Sequence, residues 1–246
     1  MREQLEQFLY TGNDTHVEEL TRYKRHGFHL VILGDVLPKS GTSVLKLGFG
    51  AFATVWLARD LVDKYAHPND NEAAILSELH RVGQGKAGLE RIIQLFDVFT
   101  IKGPNGFHEC LVTEVISPLS DPDVVDHRSL EAIHPNIRRI FFLHKQGVVH
   151  GDPHLANFGA ALPQLEQFNE DDITEYFANP KVIPVVPRDT SFPLSSVPPW
   201  VTPCVSIADF LQSMKSFLEE LTICTKILDF GKGAPDHRDT LYMKSN

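Results

Sequence analysis

The residues Val148-Val-His-Gly-Asp-Pro-His-Leu-Ala-Asn157 carry the most informative spacing in the chain. They place a carboxylate, Asp152, five residues before an amide, Asn157, and they follow a segment with helical periodicity. An aspartate that accepts a hydroxyl proton and an asparagine that helps to hold Mg²⁺ suit phosphoryl transfer, because that reaction needs mainly positioning and charge neutralisation. The spacing therefore predicts a phosphoryl-transfer site.

Two other interpretations of this segment are open. His150 and His154 are spaced as an i, i+4 pair of metal ligands, but Pro153 between them argues against the helix that such a pair requires. In the other interpretation His150 is packed and hydrogen-bonded, and Asp152 only caps a local turn.

A second acid and a glycine-rich segment extend the pattern. Lys226-Ile-Leu-Asp-Phe-Gly231 predicts an apolar strand that ends in a metal-binding acid, Asp229. Leu47-Gly-Phe-Gly50 lies between two strand patterns, where glycines let backbone amides approach phosphate oxygens. Taken alone, the glycine segment is equally typical of a hairpin turn with no ligand.

The remaining hydrophobic pattern and turn residues predict an antiparallel sheet with one helix in the first half of the chain, and helices and loops in the second half. Predicted strands are His29–Leu33, Ser43–Leu47, Ala53–Leu57, Arg91–Phe99, Glu109–Ile116 and Thr225–Phe230, with a hairpin loop of more than two residues around Gly103 to Gly106. Predicted helices are Glu72–Val82, capped by Asn71 and ended by Gly83, and Asn136–Gln146 and Ile207–Leu221. Seven of the 16 prolines lie between Pro180 and Pro203, which predicts a surface insertion or linker.

Composition excludes several classes of protein. The chain has 246 residues with 42% hydrophobic and 22% charged residues, which is typical of a globular protein and not of a disordered or fibrous one. Its net charge of -9 argues against direct nucleic-acid binding and favours cationic partners. Three scattered cysteines without a C-x-x-C pair predict a reducing, intracellular compartment. We find no secretory signal and no run of 18 apolar residues, and so expect no membrane partner.

The order of these motifs resembles the eukaryotic protein kinase superfamily, and more closely the fungal relatives of the serine/arginine-protein kinases, over roughly residues 21–235. The likeness rests on Tyr23-Lys-Arg-His-Gly-Phe-His29, Leu47-Gly-Phe-Gly50, Thr54-Val-Trp-Leu-Ala-Arg-Asp60, Cys110-Leu-Val-Thr-Glu114 and Gly147-Val-Val-His-Gly-Asp152. It implies an α+β fold with an antiparallel β-sheet N-lobe carrying helix C, over 28–117, and a partial, mostly helical C-lobe over 118–235. It also implies an N-terminal extension over 1–27, an insert at about 163–205 and a disordered tail over 236–246.

The resemblance further implies the roles of individual residues. Asp152 is the expected catalytic base, Asn157 and Asp229 the Mg²⁺ ligands, and Glu72 the helix-C acid. The expected ATP-binding residues are Leu47, Gly48, Gly50, Val55, the gatekeeper Thr113, and Glu114 to Ile116 as the adenine hinge. The implied cofactors are ATP and Mg²⁺, and the implied substrates are serine and threonine hydroxyls of basic Arg/Ser-rich proteins in the cytoplasm or nucleus. The resemblance leaves the oligomeric state open.

Three departures from the family pattern predict weak or absent turnover. The third-strand lysine is replaced by Tyr65-Ala-His-Pro68, and Lys64 follows Val55 by only nine residues, which we expect to be too few to reach that strand position. Glu72 consequently lacks an evident partner. The helix before the catalytic loop is about two turns short, and the 15 residues after Gly231 contain no Ala-Pro-Glu, so we expect a truncated C-lobe.

These departures keep two alternatives open. The first is a catalytically dead kinase remnant or pseudokinase that acts as a binding module. The second is a small-molecule phosphotransferase, since such relatives of kinases also use the His-Gly-Asp order found at His150 to Asp152.

Overall fold

The structure is a computed structural model that describes residues 8–9, 17–37, 41–50, 53–58, 62–66, 71–121, 124, 141–187, 194–215 and 224–235. The chain forms two compact units. The first comprises residues 1–69, 96–113 and 168–205, and the second comprises 70–95, 114–167 and 206–246. The units interleave along the chain, whereas the predicted domain boundaries divide it in sequence order.

The strands of the described residues are β1 (Phe8–Leu9), β2 (Val36–Leu37), β3 (Gly41–Phe49), β4 (Thr54–Ala58), β5 (Val62–Ala66), β6 (Leu95–Gly103), β7 (Gly106–Thr113), β8 (Ile116–Pro118), β9 (Val148–Val149), β10 (Phe158–Ala161), β11 (Ile183–Pro184), β12 (Val186–Pro187), β13 (Trp200–Val201), β14 (Thr225–Ile227) and β15 (Ala234–Pro235). The described residues include the α-helices α1 (Glu72–Gly83), α2 (Phe141–Lys145), α3 (Glu170–Tyr176) and α4 (Ile207–Ser213).

The first unit is built on a six-stranded sheet in the order β2-β3-β4-β5-β7-β6. Strand β2 pairs with β3, β3 with β4, β4 with β5, and β5 with β7, and all four pairs are antiparallel. On β7, Cys110 and Val112 are buried at a spacing of two, and they join a core cluster with Phe99 and Ile101 of β6 and Trp56 of β4. The sheet and the helix α1 confirm the predicted α+β class.

Strand β5 corrects the expectation about Lys64. The strand lies between β4 and β7, and Lys64 stands directly opposite Val55 on one side and Leu111 on the other. Nine residues from Val55 are therefore enough to place a lysine on the third long strand of the sheet, because only 59–61 connect β4 to β5. The prediction that nine residues leave hardly any room for the third strand is wrong, whereas the absence of the family's catalytic lysine stays a prediction.

The hairpin between β6 and β7 is tighter than predicted. Its loop is two residues, Pro104 and Asn105, and Gly106 has a φ of 127°, which favours glycine. Asn105 is buried, and its Nδ2 donates to the carbonyl oxygens of Phe28 and Ser196 at 2.9 and 3.0 Å. The predicted strand His29–Leu33 is not a strand in the structure; β2 begins three residues after it.

The proline-rich run is part of the core of the first unit and not a surface linker. Ile183, Val185, Val197 and Val201 are buried in one cluster with the side chains of Val17, Leu20, Tyr23 and Phe28. β11 pairs with β13 across this run, and β1 pairs with β12. Residues 17–28 therefore pack against the run, and residues 17–27 among them belong to the predicted N-terminal extension over 1–27.

A buried ion pair lies in the first unit. Lys46 on β3 has its Nζ bonded to Oε2 of Glu18, and the phenol of Tyr23 donates to Oε1 of Glu18 at 2.6 Å. All three side chains are nearly inaccessible to solvent. Burial, together with the Glu18 carboxylate, raises the pKa of Tyr23 well above its usual value, so the phenol remains a donor.

The second unit contains the three-stranded antiparallel sheet β14-β10-β8 and the pair β9 with β15. Asn71 precedes α1 as predicted, although its side chain makes no capping hydrogen bond. Gly147, with a φ of 70°, follows α2 as the predicted helix end. The predicted helix Ile207–Leu221 is too long at its end, because α4 ends at Ser213 and Met214 and Lys215 form a turn, with a φ of 53° at Lys215. The parts of the predicted helices over 136–140 and 216–221, and the predicted disordered tail over 236–246, lie outside the described residues.

Replacing Glu18 tests the buried pair. Glu18→Ala should lower the free energy of unfolding by about 3 to 5 kcal/mol, because it leaves the Lys46 ammonium buried without a counter-ion. Glu19→Ala is the matched control, since Glu19 makes only an exposed ion pair with Arg22 and should cost at most about 1 kcal/mol. Urea unfolding measures both, and equal losses would contradict a buried pair.

Acid should destabilise the first unit through His29. Burial and the neighbouring His108 lower the pKa of His29 to about 4, below the value of about 6.5 in an unfolded chain. The folded state then binds fewer protons than the unfolded state between these two pKa values. The contribution of neutral His29 to the free energy of unfolding is therefore complete above pH 6.5 and is lost as pH falls towards 4. His29→Gln should remove roughly 2 kcal/mol of the acid-induced loss in urea unfolding. The control His26→Asn, at an exposed histidine, should leave the pH profile unchanged.

Candidate functional site

The loop after β9 carries Asp152 and is held by His150. The buried imidazole has Nε2 at 2.8 Å from the Leu228 carbonyl oxygen, and its Nδ1 accepts the Asp152 backbone N–H at 3.2 Å. A tautomer protonated on Nε2 satisfies both contacts. Because both ring nitrogens are engaged within the protein, His150 is a packed positioning residue, and the geometry does not favour the His150 and His154 metal pair.

The segment from Leu228 onward runs along this loop. The Leu228 N–H donates to the Asn157 carbonyl oxygen at 2.9 Å, and β15 pairs with β9. Gly151 has a φ of 83°, and a Cβ at that position would lie 2.2 Å from the carbonyl oxygen of Lys232. Glycine is therefore required at 151 both by the backbone conformation and by the close approach of the second segment.

Lys232 contacts the carboxylate of Asp152. Its Nζ lies 2.7 Å from Oδ2 of Asp152, and Nε2 of His154 lies 3.7 Å from the same oxygen. The hydrogen bond from Lys232 lowers the pKa of Asp152, and the hydrogen bond to Asp152, with the charge of Asp229, raises the pKa of Lys232. Lys232, three residues after Asp229, thereby joins the segment that carries Asp229 to the Asp152 loop.

Asn157 and Asp229 lie on these two segments and carry side-chain oxygens of the kind that bind metal ions. Asn157 is buried, and its Nδ2 donates to the Asp152 carbonyl oxygen at 3.0 Å, which leaves the amide oxygen as the side chain's acceptor. Asp229 has a φ of 58°, and its Oδ1 accepts the Gly231 N–H at 3.3 Å. Carboxylate and amide oxygens fit Mg²⁺, a hard cation. Among the residues that the structure describes, no group of three or more His, Cys, Asp or Glu could hold a metal ion by itself.

Glu72 has a partner that the sequence did not indicate. It is buried at the start of α1, and its Oε1 accepts the backbone N–H of Phe230 at 3.2 Å. The Phe230 ring is fully buried, with its centroid 5.0 Å from that of His150. The expectation that Glu72 lacks a partner is therefore wrong: its carboxylate holds the backbone directly after Asp229.

Glu114 is tied to the strand that leads to Asp229. Its Oε1 lies 2.7 Å from Nζ of Lys226 on β14 and also accepts the Gln94 N–H at 2.7 Å. Ile116 begins β8, which pairs with β10. In the second unit, the predicted hinge residues thus flank the same small sheet as the acid segment.

The other predicted ATP-binding residues lie in the first unit. Leu47 and Gly48 are on β3, with Gly48 opposite Val55 of β4, Gly50 donates its N–H to the Ala53 carbonyl oxygen at 2.8 Å, and the buried Thr113 ends β7. A Cβ at Gly48 or Gly50 would meet nothing within 4 Å, and neither glycine has a positive φ. Packing in the described residues therefore does not require glycine at either position. The nucleotide-binding role of these five residues stays a prediction.

Comparison with curated proteins shows that parts of this chain are similar in sequence to protein kinases. It is 35% identical over 119 residues to the serine/threonine-protein kinase spk-1 of Caenorhabditis elegans, over 43% of this chain and 12% of spk-1. It is 30% identical over 161 residues to protein kinase dsk1 of Schizosaccharomyces pombe, over 56% of this chain and 30% of dsk1. With SRSF protein kinase 3 of Homo sapiens it shares 33% identity over 126 residues, which is 46% of this chain and 22% of that kinase.

The chain is a relative of the SRPK-family serine/threonine protein kinases. The predicted resemblance is thereby confirmed. The matched segments span 12% to 30% of the length of these three relatives. No family model matches this SRPK relative. A solved structure of a kinase domain aligns with 89% of the chain, and the chain covers 56% of that domain, at a TM-score of 0.48 and 15% identity. No helix in the described parts of the chain is long and apolar enough to cross a membrane.

Sequence reasoning missed two structural features, the contact of Lys232 with Asp152 and the requirement for glycine at position 151. The sequence does show a lysine directly after the Asp229-Phe-Gly231 motif, and a glycine directly before Asp152. Only the paired backbones of the two segments reveal that one position depends on the other.

Substituting Gly151 tests the close approach of the two segments. Gly151→Ala should lower the free energy of unfolding by about 3 kcal/mol, because the methyl group adds a backbone clash to the cost of a positive φ. Gly147→Ala is the matched control, since Gly147 has a φ of 70° and open space around it, and it should cost only about 1 to 2 kcal/mol. Denaturant unfolding measures both variants, and equal costs would exclude the contact with Lys232.

Proposed function

We propose that this SRPK relative transfers the γ-phosphoryl group of ATP to serine or threonine hydroxyls, with Asp152 as the base. The observation that carries the proposal is the contact between the Asp152 loop and the segment that carries Asp229: the Leu228 N–H donates to the Asn157 carbonyl oxygen, β15 pairs with β9, and Lys232 Nζ lies 2.7 Å from Oδ2 of Asp152. The curated relatives that the chain matches are named protein kinases, which supports the same reaction class.

The geometry of the second unit gives Asp152 a suitable environment for a base. The hydrogen bond from Lys232 lowers the pKa of Asp152, so the carboxylate is ionised at neutral pH and can accept the proton of a substrate hydroxyl. His150 fixes the backbone N–H of Asp152, and Glu72 fixes the backbone after Asp229. Both acids are thereby positioned before any substrate binds, which is what phosphoryl transfer requires.

Asn157 and Asp229 are the residues that we propose to hold Mg²⁺. When bound there, Mg²⁺ would neutralise the negative charge that develops on the transferred group. The donor set supports this role, since Asp229 contributes a carboxylate and the Asn157 amide nitrogen is already used as a donor.

The proposed substrates are basic, Arg/Ser-rich proteins. The net charge of -9 is compatible with cationic partners, and the resemblance to the SRPK family points to the same class. Lys64 on β5 supports an active kinase, because the sheet contains a lysine on its third long strand. The openness around Gly48 and Gly50 supports their proposed role as a phosphate-covering loop.

A catalytic test separates this function from a binding module. The wild-type chain should transfer ³²P from γ-labelled ATP to an Arg-Ser peptide in the presence of Mg²⁺. Asp152→Asn should lower the rate by about 10²-fold or more, because the hydroxyl proton loses its acceptor. Asp171→Asn, at an exposed acid of α3, is the control and should retain the wild-type rate.

Three other outcomes would replace this proposal. Saturable ATP binding without transfer would favour the pseudokinase, and a folded chain that binds no ATP would favour a remnant. Transfer to a small hydroxylated molecule but not to the peptide would favour the small-molecule phosphotransferase.

A further inference from the structure

Lys232 is placed beside Asp152 by the backbone and not by chance orientation of a long side chain. The pairing of Ala234 with Val149 brings the segment after Asp229 alongside the Asp152 loop. Gly151 then lets the Lys232 carbonyl come closer than any side chain at 151 would allow. The Lys232 side chain starts from this fixed point, and its Nζ lies 2.7 Å from Oδ2 of Asp152.

The contact uses only part of what the ammonium group offers. A lysine ammonium has three N–H donors, and one of them is directed to Oδ2 of Asp152. The Lys232 side chain is 62% exposed and that of Asp152 is 33% exposed, so solvent reaches the pair. The remaining donors can therefore bind a phosphate oxygen without breaking the bond to Asp152.

The charge balance around Lys232 points to an anionic ligand that arrives with a metal ion. The Lys232 ammonium group contacts the Asp152 carboxylate at 2.7 Å, and Asp229 precedes Lys232 by three residues, so these two segments set two acids against one cation. A divalent cation bound at Asp229 would reverse this balance and leave the ammonium group available to a phosphate. A cation next to a transferring phosphoryl group stabilises the charge that develops on its oxygens.

We propose that Lys232 is a catalytic residue whose ammonium group binds an oxygen of the transferred phosphoryl group while it orients Asp152. This inference rests on the proposed function. The bond from phosphorus to the ADP oxygen breaks, the bond to the substrate oxygen forms, and the hydroxyl proton passes to Asp152. Lys232 stays protonated throughout, and the leaving ADP carries away the electron pair of the broken bond. A cation supplied from the position after Asp229-Phe-Gly231 would thus serve the reacting group directly.

The test compares Lys232→Met, Lys232→Arg and the exposed control Lys24→Met. Calorimetry measures the affinity for pyrophosphate with Mg²⁺ and, separately, for ATP with Mg²⁺, and a transfer assay to an Arg-Ser peptide gives kcat and KM. Lys232→Met should weaken both ligands about tenfold and lower kcat about 10²-fold, because one charge-bearing donor is lost. Lys232→Arg should restore most of the ligand affinity and most of kcat. Lys24→Met should match the wild type in both measurements. Urea unfolding of each variant checks that the fold is kept.

The outcomes separate this inference from the proposed function. If ATP is bound and transferred but Lys232→Met matches the wild type, Lys232 is only a surface ion pair and the inference falls. Faster transfer by Lys232→Met would also overturn it, because Lys232 would then be blocking Asp152. If pyrophosphate binding depends on Lys232 but no transfer occurs, the phosphate contact stands and the kinase function fails. If the wild type binds neither ligand, both are wrong.

Discussion

The second unit depends on the close contact between two short segments, 148–157 and 228–235. The contact is made by backbone groups: Leu228 donates to Asn157, β15 pairs with β9, and the Lys232 carbonyl fills the space that a side chain at 151 would need. Backbone hydrogen bonds of this kind set positions to within tenths of an ångström, whereas flexible side chains alone would not. The backbone segments that carry the two acids, the amide and Lys232 are therefore adjacent.

Burial on either side of this contact keeps the segments in place. The Phe230 ring is fully buried next to His150, and Glu72 accepts the Phe230 N–H, so Asp229 is followed by an anchored residue. On the other side, Glu114 and Lys226 form an ion pair at the strand that leads into the segment. The exposed part of the arrangement is confined to Asp152, Lys232 and their neighbours. A rigid support beneath a solvent-accessible set of charges is what a phosphoryl-transfer site requires.

The sequence predicted the elements whose ends are set by neighbouring turn and capping residues. The glycine hairpin, the helix that begins at Glu72 and the end of α2 at Gly147 follow from turn and capping residues, and the motif order identified the kinase relationship. Prediction failed where long-range packing decides the outcome. The proline-rich run was predicted to be a linker because its prolines exclude long strands, but Ile183, Val185 and Val201 bury against residues 17–28. The spacing from Val55 does not predict how short the connection to the strand of Lys64 can be, and the sequence does not show that a backbone N–H contacts Glu72.

The central claim is that Asp152, Asn157 and Asp229 form one metal and phosphate site in the second unit. The most direct measurement is the paramagnetic broadening of backbone amide NMR signals by Mn²⁺. Mn²⁺ replaces Mg²⁺ and is added stepwise to the protein in the presence of ATP. The account predicts that the amide signals of Gly151 and Gly231 broaden first, at about one equivalent of Mn²⁺, and that Asp229→Asn removes the effect. Broadening that is unchanged in Asp229→Asn, or that begins at the acidic residues of α3, would contradict it.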